Sequence, residues 1–199
     1  MVSAEEIVRQ YPYDPDGVEW LVPPEHVDIT IAEYDRAWPG AVAALADLVR
    51  GALGDEVLSL EHVGSTSVAG LAAKPIIDLD LTVADSTDES RYRPQLEAAG
   101  FTLILRERAW HEHRMLTHDV PQANLHVWSP DGPEPVRHVL LRDWLRAHPE
   151  DRDAYAAAKR AAADGLRTGG GGSGMDYNEL KAPTIGEILD RVFRAHGLR

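Results

Sequence analysis

Asp78 and Asp80 stand two residues apart in the run Lys74-Pro75-Ile76-Ile77-Asp78-Leu79-Asp80-Leu81-Thr82-Val83. In an extended strand, side chains two apart project from the same face. The spacing therefore puts both carboxylates on one side and Ile77, Leu79 and Leu81 on the other. Two carboxylates side by side in an apolar strand repel each other and lose hydration, a cost that a bound cation or a shared proton offsets. Oxygen donors suit a hard ion such as magnesium, which keeps several waters and takes one or two carboxylates plus substrate phosphates. Upstream lies the small-residue turn His62-Val63-Gly64-Ser65-Thr66-Ser67. Gly64 lets backbone N–H groups approach a phosphate, and the hydroxyls of Ser65 and Thr66 add donors. Singly, such acids often cap helices and such turns are ordinary loop chemistry. In this order and spacing they point to a metal site and a phosphate site encoded together.

A Gly-Ser pair, then twelve residues, then Asp-x-Asp on a strand resembles the signature of the nucleotidyltransferase superfamily with the DNA polymerase beta-like fold. More narrowly, the stretch from Glu61 to Asp80 resembles the GrpB family. Further likeness lies in Asn124-Leu125-His126-Val127, in Leu141-Arg142-Asp143-Trp144-Leu145-Arg146-Ala147-His148-Pro149 with Tyr155 and Lys159, and in Tyr177 with Lys181. It spans about residues 25 to 195. The resemblance implies an α/β (α+β) fold, a small mixed sheet flanked by helices with a helical C-terminal region. It also implies a nucleoside triphosphate substrate and a divalent metal, magnesium or manganese. The expected reaction moves a nucleotidyl group to a small-molecule or protein acceptor; the alternative is a non-catalytic nucleotide- or cofactor-binding module of the same fold.

By the same resemblance Asp78 and Asp80 are the metal ligands and catalytic carboxylates. Superfamily enzymes usually add a third carboxylate from a later strand, and here His126 occupies that place. A neutral imidazole is a weaker magnesium ligand than a carboxylate and favours manganese, zinc or a similar ion. It is equally matched to taking a proton as a general base, or to simple hydrogen bonding with the backbone. Gly64, Ser65, Thr66 and Lys74, with Arg142, Lys159 and Lys181 from the C-terminal helices, are the candidate phosphate contacts. The cations converge only if those helices fold over the sheet; otherwise they form helix-surface ion pairs. Tyr155 and Lys159 lie four apart, as do Tyr177 and Lys181, consistent with ligand contacts or packing.

The chain has 199 residues, no cysteine and a formal net charge of −13. That length supports one domain with a real core. The absence of cysteine excludes disulfides and thiolate metal sites. The negative charge opposes binding to DNA or RNA, which draws its strength from cations displacing counterions, so a small nucleotide or phosphorylated ligand is the better partner. No run approaches the ~18 apolar residues of a membrane span, and the N-terminus lacks the basic and apolar pattern of a signal peptide. A cytoplasmic location is the expectation.

Positioning these residues requires elements. Residues 1–30, with Tyr11-Pro12-Tyr13-Asp14-Pro15-Asp16-Gly17 and Pro23-Pro24, carry too many turn formers for a long helix and read as an extended arm before a single domain, 31–199. Trp38, Val42, Leu45, Leu48 and Val49 predict an amphipathic helix within Ala32 to Ala52. Strands are predicted over Val57–Val63 and Ile76–Val83, with a short helical segment near Val68–Ala73 between them. Asp85 or Ser86 can cap a helix running to Ala99, ended by Gly100. Strands follow at Phe101–Leu105, 112–117 and 123–128. From about residue 135 the pattern turns helical: one helix through Leu145 broken at His148-Pro149, an alanine-rich one over Asp151–Leu166, and a last one over Asp176–His196. The Gly169–Gly174 tract between them reads as a flexible surface loop. His111, His113 and His118 form a second cluster: strand alternation puts His111 and His113 on one face, as a transition-metal pair would need, but with no firm third ligand they read as exposed hairpin histidines.

Overall fold

The alternating residues from Ile77 onward build the middle of an open sheet whose two faces do different work. Among the described residues, 2–11, 14–24, 29–169 and 171–199 of the computed structural model, the strands are β1 (Glu19–Trp20), β2 (Ser59–Val63), β3 (Ile77–Thr82), β4 (Phe101–Glu107), β5 (His113–His118) and β6 (Ala123–Trp128). Their order is β1-β4-β5-β6-β3-β2, antiparallel throughout except for the parallel pair β3 and β6. A parallel pair needs a long crossover. Here the chain between β3 and β6 supplies it and adds β4 and β5 on the way, so the sheet is mixed as the sequence predicts.

The helices are α1 (Ala4–Val8), α2 (Trp38–Leu53), α3 (Arg93–Ala98), α4 (Pro133–Ala147), α5 (Pro149–Thr168) and α6 (Gly174–Ala195). Trp38, Leu45, Val49 and Leu53 of α2 and Leu96 of α3 pack onto Ile77, Leu79, Leu81, Leu125 and Val127, all buried. Each such side chain contributes about 1.5–3 kcal/mol by leaving water. This core lies on one face of the sheet and fixes which way the intervening residues Asp78 and Asp80 point. A second cluster joins Ile7 of α1 to Val68, Leu71, Leu145, Tyr155, Ile188, Val192 and Phe193, so that α4, α5 and α6 hold together over the other side. No described helix is long and apolar enough to cross a membrane.

Boundaries differ from expectation where tertiary contacts take over. α2 starts at Trp38 because Ala32 is taken into a β-bridge with Ala73, and Pro39 suits the first helical turn. Leu48 faces out at 41% exposure while Leu53 joins the core. The helix expected from Asp85 or Ser86 shrinks to a single 3-10 turn, Glu89–Arg91, and α3. Ser86 does not cap it: its hydroxyl donates to the Glu112 carbonyl at 2.9 Å, across to the β4–β5 hairpin. The segment after Gly64 forms a 3-10 turn at Ser65–Ser67 rather than helix at 68–73. Within the N-terminal arm, α1 and β1 are regular: Arg106 of β4 binds Glu19 at 2.7 Å, and Arg137 of α4 donates to the Ile7 carbonyl at 2.5 Å. Pro12, Tyr13, residues 25–28 and Gly170 of the glycine tract lie outside the described residues.

Candidate functional site

Register places the chemistry. β3 pairs with β6 so that Asp78 stands beside Asn124, Asp80 beside His126 and Thr82 beside Trp128, all on the face away from the α2 core. On β5, Met115 stands beside His126. His113, two residues earlier, therefore shares that face. Asn124 Nδ2 donates to Asp78 Oδ1 at 2.9 Å, and Trp128 Nε1 donates to Asp80 Oδ1 at 3.0 Å. From α4, His138 Nδ1 donates to Asp80 Oδ2 at 2.8 Å. Asp80 is thus buried, at 2% exposure, with both oxygens engaged. Burial alone would raise its carboxyl, but His138 and the Trp128 N–H hold it below the usual carboxylate range. Burial likewise works to lower His138, and the Asp80 charge beside it outweighs that, pushing the imidazole up to about 9.

A hydrogen-bonded chain approaches Asp78 from the other side. Glu107 Oε2 lies 2.7 Å from His113 Nδ1, and His113 Nε2 lies 3.0 Å from His126 Nδ1. His126 Nε2 then faces Asp78 Oδ1 at 4.0 Å. His113 is 2% exposed and stacks on Trp128 at 4.3 Å, so it is a core histidine and not the exposed hairpin residue its sequence position predicts. Burial pushes His113 down to about 3 and His126 down to about 4. Both are neutral near pH 7. Burial raises Glu107.

The turn after β2 closes the site. Gly64 has φ +67°, and a Cβ there would lie 2.9 Å from Asp78 Cβ and Cγ; only glycine permits this approach. Ser67 Oγ donates to the Gly64 carbonyl at 2.6 Å, and Thr66, buried, pairs with His62 Nε2 at 3.0 Å. Ser65 begins the 3-10 turn and is partly buried. Arg142 does not join the phosphate contacts expected of it. Its guanidinium donates to Glu61 at 2.8 Å, the His62 carbonyl at 3.0 Å and Asp143 at 2.8 Å, clamping α4 to the β2 edge.

The three other expected cations do converge. They are the chain's only lysines, against seventeen arginines. Lys74 lies 5.0 Å from the centre of the Tyr177 ring and Lys181 4.8 Å from it; Lys159 lies 4.6 Å from the Tyr155 ring and Lys181 6.0 Å. Lys159 is 1% exposed and donates to the Ala72 carbonyl. Burial, then the charge of Lys181, pushes its ammonium down to about 7. Burial and Lys181 also lower Lys74, and the Asp78 carboxylate opposes the shift in both. Tyr177 is 1% exposed and its hydroxyl has no hydrogen-bond partner among the described residues.

A divalent ion fits this donor set only in part. Among the described residues no group of three or more His, Asp or Glu side chains stands in metal-holding geometry. Asp78 and His126 offer an oxygen and a neutral nitrogen 4.0 Å apart on one face, suited to one ion between them. Asp80 fits less well, because it is buried and each of its oxygens already accepts a hydrogen bond, from Trp128 and from His138. Sequence reasoning missed Glu107, His113 and His138. Period-two extension along β5 and β6 finds His113 with Asn124 and Trp128, but nothing local marks His138.

These features define a mixed α/β protein in which a Gly-Ser turn stands against an Asp-x-Asp strand and C-terminal helices bring Lys159 and Lys181 to Lys74. The GrpB protein family model matches residues 28–191, and the chain belongs to that family. It is 49% identical over 169 residues to a UPF0157 protein of Halalkalibacterium halodurans, covering 85% of each chain. A UPF0157 protein of Streptomyces coelicolor is 38% identical over 179 residues, 90% of this chain and 92% of that one. The crystal structure of the conserved protein GrpB from Enterococcus faecalis superposes with a TM-score of 0.72 at 26% identity, over 84% of this chain and 99% of that one. The family read from residues 61–80 is therefore the right one.

Proposed function

We propose that this chain binds a nucleoside triphosphate by its phosphates and transfers the nucleotidyl group to a small-molecule or protein acceptor. The observation that carries this reading is the convergence of all three lysines on the Tyr155 and Tyr177 rings, with Lys74 and Lys159 within reach of the Asp78 charge and no carboxylate ion-paired to any of the three among the described residues. Three ammonium groups held together repel one another, and after burial the Lys181 charge is the next cause of the depressed Lys159. A polyanion removes the repulsion and returns Lys159 to its charged form, so binding takes up a proton near neutrality.

In the transfer, an acceptor hydroxyl oxygen attacks the α-phosphorus, the bond to the oxygen bridging to the β-phosphate breaks, pyrophosphate leaves and the hydroxyl proton passes to solvent water. Lys74, Lys159 and Lys181 hold the departing phosphates and stabilise the charge that gathers on them. Gly64 and the backbone N–H groups after it bring the turn close to the phosphate chain. Asp78 and His126 would hold a magnesium or manganese ion, which neutralises phosphate charge when bound. His126, lowered to about 4, is poorly matched to take a proton at pH 7 and better matched to offer a lone pair. One observation favours a second reading, binding without turnover: Asp80 is fully engaged and not free for the reaction.

Calorimetry with ATP and a non-hydrolysable analogue, with magnesium or manganese, tests the site. Charge-assisted hydrogen bonds contribute about 1.5–3 kcal/mol, so Lys159→Met or Lys181→Met is expected to weaken binding about ten- to a hundredfold with the fold retained. Unchanged affinity in both variants removes the proposal. Pyrophosphate release, lost in Asp78→Asn, separates transfer from binding alone.

A further inference from the structure

The sequence pattern assigns Asp78 and Asp80 the same task, yet their surroundings differ. Asp78 is 29% exposed at its side chain, with Asn124 on one oxygen. Asp80 is at 2%, held by Trp128 Nε1 at 3.0 Å and His138 Nδ1 at 2.8 Å. The indole N–H is a donor only, on a fully buried ring, and Asp80 Oδ1 is the acceptor it is given. His138 comes from α4, its ring 6.2 Å from those of both His126 and Trp128, with Nδ1 on Asp80 Oδ2. An ion binding Asp80 Oδ2 on the side that His138 occupies has to displace the imidazole.

We propose that the His138 imidazole stands where a second divalent ion would sit, so that the site takes at most one ion, on Asp78 and His126, while Asp80 serves to hold His138. The inference rests on the metal reading above for the first ion, and on hydrogen bonding alone for the second place. A tethered donor on α4 satisfies Asp80 without capturing anything from solution, and it ties the helical layer to the sheet at the site itself. Remove it, and a buried carboxylate is left uncompensated, a charge that a cation or a proton from solution must then neutralise.

The test counts bound manganese on the full chain by electron paramagnetic resonance of the free ion, without nucleotide. His138→Ala is expected to bind one ion more than wild type, and the added Asp80→Asn to abolish that gain. Equal counts in wild type and His138→Ala overturn the proposal. Should His138→Ala fail to fold, Asp80→Asn alone decides: an unchanged count supports the assignment and a lost ion sinks it. Asp78→Asn reports separately on the first ion. If wild type binds none while His138→Ala gains one through Asp80, the inference stands and the Asp78 metal reading falls.

Discussion

At the scale of single residues, the orientation of His126 is decided by its neighbours. With Glu107 as a carboxylate, His113 donates from Nδ1 and accepts at Nε2, so His126 carries its proton on Nδ1 and turns a lone pair toward Asp78. Nitrogen-15 NMR reads this tautomer directly. His113→Phe, which keeps the stack and removes the acceptor, is expected to move the His126 proton onto Nε2 in part or whole. Glu107→Gln still accepts through its amide oxygen and is expected to leave the His126 spectrum as in wild type. A His126 signal indifferent to His113→Phe would refute the chain. The residue types were visible in the sequence; the 3.0 Å contact that gives them a direction was not, because it crosses two strands whose pairing no local pattern sets.

At the scale of elements, the turn between β2 and the 3-10 segment is the tightest constraint on the site. Gly64 is required twice over, by its φ of +67° and by the carboxylate of Asp78 against its Cα. A left-handed conformation alone costs a non-glycine residue roughly 1–2 kcal/mol. Gly64→Ala is expected to lose at least that much in urea denaturation and to push Asp78 out of line, cutting nucleotide binding as well. Stability and binding both at wild-type level would show that the turn does not position Asp78. This element was legible, since the glycine and the acids lie in one short stretch. The helix after Asp85 was not: Glu89 is drawn to Arg106 at 2.5 Å and Arg114 at 2.8 Å on the strands, and that pairing breaks the local helical signal.

For the whole molecule, buried histidines set the pH range of stability. Burial lowers His62 to about 4, His113 to about 3 and His126 to about 4. As pH falls below 6.5 the unfolded chain takes up these protons first, so stability is lost on the acid side. His138, raised to about 9, works the other way: its contribution is complete below 6.5 and disappears as pH rises through 9. Each unmatched proton changes stability by about 1.4 kcal/mol per pH unit. Lys159, lowered to about 7, opposes His138, because the stability its buried ammonium costs is recovered as pH rises from 7 toward 10.5. Stability measured by urea denaturation between pH 5 and 10 is therefore expected to rise steeply to about pH 7 and to change little from there to 9. His138→Gln should turn that level stretch into a rise and leave the acid limb as in wild type; a level stretch that persists in the variant would place its origin elsewhere.

The chain's spacing alone gave away the family, the mixed α/β order of elements, and the carriers of charge: an acidic pair on a strand, a glycine turn with Lys74 after it, and two tyrosine–lysine pairs four residues apart. These follow from spacing along the chain, which backbone periodicity converts into faces. Only the tertiary structure decided which charges meet. It brought Lys74, Lys159 and Lys181 together, spent Arg142 on the β2 edge, and laid His138 on Asp80. The reason is that α4, α5 and α6 dock through apolar surfaces remote from the acids. Where their polar groups land is fixed by that packing and by the register of β3 with β6, neither of which any short window of residues contains.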